Sequence, residues 1–319
     1  MNLFREAGER RMSLAARAGA MLLGLAALLP SLPASAQQVR VLPLEEMKRR
    51  MPIFSGNYVP GFESFYSTAA PEAIDRIALR VTYDLEVRTD TLVRRDRVVA
   101  ETGGRFATFY SLYLRELSMN HTDKSRRTVY EWMRSCCVLY PAMLRVDLRR
   151  RTLEECELFP HLENLLHTYE EPLPAIGWSL DEQGAQQIAG YRCLRARCTF
   201  RGRRWSVWYA PELPATAGFW KLHGLPGMIL AAEDDAGEWR FRAIGIEQPD
   251  EPMLRYRVPT RRMTRERVRR AARHLYDHPV DGMLADKGQD YFVTVRDGRH
   301  LLVTRDQCAP IPYNPIELE

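Results

Sequence analysis

The chain has no C-x-x-C pair and no cysteine–histidine spacing of the kind that holds zinc, so its six cysteines do not read as a metal or dithiol redox motif. No cysteine precedes Cys136, which rules out lipid attachment at a cysteine near the start. No serine lies in a G-x-S-x-G elbow. No internal repeat and no low-complexity linker divides the chain. The apolar run Ala18–Leu29 falls short of the ~20 residues that a membrane-spanning helix needs, so an integral membrane protein is not expected.

That run has a different reading. It follows Arg5, Arg10, Arg11 and Arg17 and leads into Pro30–Ala36, which closes on Ala34-Ser35-Ala36. A charged start, an apolar middle and a small-residue end make residues 1–36 a signal peptide, with Gln37 first in the mature protein. The expected address is outside the cytoplasm, periplasmic or associated with the outer envelope. The formal charge of +5 falls to about +3 once four arginines and two glutamates leave with that segment. Near-neutrality and an exported address exclude nucleic acid as a partner.

In an oxidising compartment disulfides are the default, so Cys136, Cys137, Cys156, Cys193, Cys198 and Cys308 are candidates for bridges. On one continuous strand Cys193 and Cys198 would stand ~16 Å apart on opposite faces, beyond bonding reach. A link from Cys136 or Cys137 to Cys156 across a hairpin is preferred.

Residues 37–72 read as an irregular lead segment broken by Pro and Gly, and 73–319 as a single β-rich domain. Ala73–Arg88 alternates, with Ile77, Leu79, Val81, Tyr83, Leu85 and Val87 on one face, as a half-buried antiparallel strand does. Further strands are expected near Leu92–Ala100, Arg105–Leu114, Thr128–Met133, Ala142–Leu148, Thr152–Phe159, Trp178–Asp181 and Gln187–Thr199. Met228–Ala232 should pair with Trp239–Glu247. The fold class is mainly β (α+β): a curved antiparallel sheet or partly open barrel with one helix.

That helix is Thr264–Asp277, with Thr264 as its cap and an apolar stripe of Val268, Ala271, Ala272, Leu275 and Tyr276. The arginines between Arg261 and Arg273 are expected on its solvated side, where they could also meet an anionic lipid surface. His274 and His278 stand at a metal-ligand spacing, but Pro279 puts His278 at the fraying end, where compensation of helix-end charge is preferred. Asp297-Gly298 marks a hairpin near 290–304.

The most organised stretch is Phe200–Leu230. It carries Trp205, Trp208, Tyr209 and Trp220, then the tight reversal Gly224-Leu225-Pro226-Gly227, built from two glycines and a proline. Around it stand Ile188–Ala196 (IAGYRCLRA), Arg201-Gly202-Arg203, Trp208–Pro214 (WYAPELP) and, at the far end, Asn314–Leu318 (NPIEL). In this order the elements resemble those of the GLPGLI family of exported bacterial proteins. The turn continues as Met228-Ile229, and Phe219-Trp220 stands where the family usually has Gly-Pro. The family is largely uncharacterised, so the resemblance implies a compartment and an architecture rather than a reaction.

The residues imply no cofactor or metal and no catalytic set. The preferred reading is an exported, non-enzymatic binding or accessory protein of the envelope. Its ligand, or an envelope protein, would be held against the concave sheet near the GLPG turn by Trp205, Trp208, Tyr209, Trp220 and Gly224–Gly227, unless these form a purely structural signature. A hydrolase whose groups meet only in the fold is the alternative, and a structural envelope role a third.

Overall fold

The computed structural model describes residues 40–41, 71–88, 93–112, 115, 140–157, 166–256, 260–278, 291–296, 299–304 and 314–319. The signal segment, the expected strand at Thr128–Met133 and Cys136, Cys137 and Cys308 lie outside the described residues.

The elements in chain order are β1 (Arg40–Val41), β2 (Glu72–Arg76), β3 (Leu79–Arg88), β4 (Val93–Thr102), β5 (Phe106–Ser111), β6 (Ala142–Asp147), β7 (Thr152–Glu157) and β8 (Leu166–Pro172). They continue as β9 (Ser179–Ile188), β10 (Tyr191–Phe200), β11 (Arg203–Ala210), β12 (Met228–Asp234), β13 (Trp239–Glu247), β14 (Pro252–Arg255), β15 (Thr260–Arg262), α1 (Arg265–Asp277), β16 (Tyr291–Arg296) and β17 (Arg299–Thr304). Twelve strands form one curved, unclosed sheet in the order β15-β8-β7-β6-β5-β4-β3-β13-β12-β11-β10-β9. All its pairings are antiparallel except β15 with β8. β2 pairs with β14, and β1, β17 and β16 make a third small sheet. Among the described residues the fold is mainly β, with α1 as its one full helix.

Alternation builds the centre. Leu79, Val81, Tyr83, Leu85 and Val87 of β3 are buried on the inner face, and Trp239, Phe241 and Ala243 of neighbouring β13 join them. The expected single strand from Ala73 is two strands. At Ile77-Ala78 the backbone turns its N–H groups to Glu251 and Thr102, and β2 leaves the large sheet for β14. The expected strand Gln187–Thr199 is likewise broken, because Ala189 and Gly190 sit at φ 48° and 87° and make a two-residue hairpin between β9 and β10.

Cys193 and Cys198 both lie in β10, yet both are buried on the inner face. The register slips between Cys193 and Arg195, and the bulge restores the phase that an odd step would have reversed. Neither is bonded, and Cys156 is also a free thiol, donating to Thr168 Oγ1 on β8. The disulfide expectation is therefore corrected for Cys156, Cys193 and Cys198. Burial pushes Cys156 and Cys193 up to about 11 and Cys198 up to about 12, so all three stay protonated and unreactive at neutral pH.

The inner face is covered by the chain itself. Residues 211–227, between β11 and β12, fold into the curve of the sheet and bury Leu213, Ala217, Phe219, Trp220, Leu222 and Leu225. Phe219 meets Tyr83, Phe109 and Phe241 edge to face at 5.1–5.6 Å between centroids, the arrangement aromatic quadrupoles favour. α1 starts at Thr264, whose Oγ1 accepts from Arg267 N, and it turns Val268 and Ala272 inward beside β8.

Candidate functional site

The signature segment is placed in the core. Trp205, Tyr209, Trp220 and Leu225 are buried, while Gly224 and Pro226 are exposed at the reversal. Trp208 lies half-buried on the other face of β11, its Nε1 donating to Gly184 O at 3.0 Å. The concave surface expected to receive a ligand beside the turn is thus occupied by residues 211–227. The two glycines act differently. Gly224 needs its φ of 91°, whereas Gly227 needs the absence of a side chain, since a Cβ there would stand 2.2 Å from Ala210 O.

Trp220 itself holds φ 43°, a left-handed conformation that costs a non-glycine residue about 1–3 kcal/mol. The turn it makes buries Phe219, Trp220, Lys221 and Leu222 consecutively, and Lys221 is fully enclosed. Its Nζ lies 2.6 Å from Glu155 Oε2 and donates to Tyr169 OH at 2.6 Å and to Glu317 Oε1. Two arginines of α1, expected on its solvated side, point inward to the same place, because positions 265, 268, 269 and 272 share one helical face. Arg265 pairs with Glu317, and Arg269 reaches Glu155 at 3.2 Å and Glu157 at 2.5 Å. The Glu157 contact is off the direction of a hydrogen bond, so that carboxylate gains charge attraction only. Tyr140 and Tyr169 donate to the two oxygens of Glu155.

Glu155, Glu157 and Glu317 thus face Lys221, Arg265 and Arg269, and formal charge cancels. Burial opposes ionisation of Glu155 and Glu317, but Lys221 and Arg269 outweigh it, with Arg265 adding at Glu317, whose pKa falls to about 2. Glu157 goes the other way, pushed up to about 7 by burial, with Glu155 and Glu317 adding repulsion against Arg269.

A second buried cation ties residues 314–319 to the sheet. Arg203 pairs with Asp234 at 2.6 Å and Glu238 at 2.8 Å, and donates to Asn314 Oδ1, Pro315 O and Ile316 O. Arg203 of the Arg201-Gly202-Arg203 element and Lys221, distant in sequence from the NPIEL-like end, therefore both anchor it. The signal in the sequence was a lone lysine inside the apolar stretch Phe219–Leu222, which only a buried acid could satisfy.

The outer face carries a different polar feature. A groove of about 150 Å³ opens between the outer side of β5–β8 and the β2–β14 pair. Asp75 sets the closure: its carboxylate accepts from Arg105 N and Phe106 N at 2.7 and 2.8 Å, and Gly103 lets β2 approach. In the groove Arg105 pairs with Asp147 at 2.8 Å, Arg145 with Glu154, and Arg150 with Glu170 at a loose 3.8 Å. Arg255, from β14, lines it with no ion pair to any described acid. Composition reasoning missed this groove, because its arginines come from four separate strands and turns.

Among the described residues no set of three His, Cys, Asp or Glu converges as a metal site, and His274 and His278 stand 4.8 Å apart, ring to ring. No helix among them is long and apolar enough to cross a membrane.

No protein-family model and no curated protein matches the chain. Two solved structures of PNGF-II, in P21 and C2 space groups, are similar at 10% identity with TM-scores of 0.44 and 0.43. The match covers 60% of this chain and 33% and 32% of theirs, so this chain spans about a third of their length. Likeness at that level says nothing of what this chain does.

Proposed function

We propose that the chain is an exported binding or accessory protein of the cell envelope, of the kind its GLPGLI-like elements resemble, working without catalysis. One observation carries the binding part of this reading: the inner face is filled by residues 211–227 and its ionisable groups are neutralised by one another, while an open polar groove stands on the outer face. Ligand contact then falls on the outer face rather than beside the GLPG turn. A buried, charge-balanced cluster of this kind serves to position backbone and fix register.

The outward arginines of α1, Arg267 and Arg270, remain exposed and give the protein a second surface suited to an anionic envelope. Expression of the full chain in a bacterium, followed by fractionation and N-terminal sequencing, tests the reading. Recovery outside the cytoplasm with Gln37 first is expected. An unprocessed protein confined to the cytoplasm would overturn it.

A further inference from the structure

We propose that the groove between β5–β8 and β14 binds a small oxyanion-bearing molecule, a carboxylate or phosphate, between Arg150 and Arg255. The inference deepens the binding reading above and rests on it for biological meaning, but the site stands on its own geometry. Four guanidinium groups line the groove against three carboxylates, Asp147, Glu154 and Glu170. Two of the three pairs are close and engage Arg105 and Arg145. The third is not: Arg150 stands 3.8 Å from Glu170, which is shared with Arg262 at the same distance.

Among the described residues Arg255 is the charge left over. The strand register places Glu72 opposite it on β2, but no ion pair joins the two. Phe106 supplies an apolar wall, already faced by the Arg105 guanidinium at 4.6 Å. Planar guanidinium forks match carboxylate and phosphate oxygens two at a time. The volume suits a ligand of about the size of benzene, hence one small acid rather than a polymer.

The test is titration of the full chain, at low salt, with inorganic phosphate and separately with acetate and benzoate, followed by calorimetry and by thermal shift. A saturable, salt-sensitive stabilisation by at least one probe is expected. Preference for phosphate or for benzoate tells the two sources of the oxyanion apart. Arg150→Gln with Arg255→Gln should weaken that binding about tenfold or more, and Arg267→Gln with Arg270→Gln on α1 should leave it unchanged. No saturable binding by any probe, or equal loss in the α1 variant, overturns the site. Its failure is separable from failure of the envelope reading: binding in a protein that stays cytoplasmic sinks only the latter, and an exported protein that binds no probe sinks only the former.

Discussion

Two charged clusters in this protein use the same residue types to opposite ends. Around Lys221, three acids and three bases are largely enclosed, their formal charges balance, and the geometry is held by long-range contacts to residue 317. In the groove, four arginines and three acids stand near solvent and one arginine is left over. Enclosure decides the difference. A buried charge without a partner costs several kcal/mol, so the inner cluster must balance, whereas water tolerates the imbalance outside.

The comparison breaks first at Lys221. Lys221→Met removes the cation that Glu155 and Glu317 share and should cost about 3–5 kcal/mol in denaturant unfolding. A cost under about 1 kcal/mol would show that water reaches the cluster. Arg203→Ala comes next: loss of its bonds to Asp234 and to residues 314–316 should destabilise by about 2–4 kcal/mol, while Arg255→Ala in the groove stays within about 0.5 kcal/mol. Equal effects at the two arginines would erase the contrast.

Acidity sharpens it further. Glu155 and Glu317 have lowered pKa values, so the stability they contribute is present above their ordinary value of 4.5 and is lost as pH falls below it, for Glu317 through about 2. Glu157 is raised, so its contribution is complete below 4.5 and is lost as pH rises through about 7. Melting temperature followed from pH 4 to 9 should decline on that upper limb in the natural protein, and Glu157→Gln should flatten it. The smallest effect belongs to the exposed pair of Arg76 and Asp250, 67% and 80% accessible. Arg76→Ala should change stability by less than about 0.5 kcal/mol, and a larger loss would mean that exposure does not separate the two kinds of cluster.

Much of the scaffold was legible because period-2 burial writes itself into single residues: β3, β13 and the helix with its Thr264 cap follow directly. The breaks were not. Alternation runs unchanged through Ile77, where the strand changes sheets, and the β10 bulge leaves no mark in composition while reversing which face Cys198 occupies. β8, LHTYEEP, reads as polar because Glu170 and Glu171 sit on it beside a buried Tyr169. Of the candidate site, the aromatic signature was visible but the face each member takes was not: Trp205, Tyr209 and Trp220 are buried, whereas Trp208 is half-buried on the other face of β11. The make-up of the cluster around Lys221 was hidden, because an inward Arg269 and an outward Arg270 differ only by a helical rotation of one residue.

The enclosure of Lys221 also sets an order of events. Its acid partner at 317 lies 96 residues away, and Arg269 lies 114 from Glu155. Contacts of such separation form late, since the intervening chain must be ordered before they return any energy. With residues 314–319 undocked, Lys221 would be buried short of one of its two anions, which disfavours the packing of residues 211–227 against the sheet. Seating of residues 314–319 and enclosure of Lys221 are thus two sides of one contact, and loss of either is expected to loosen the other.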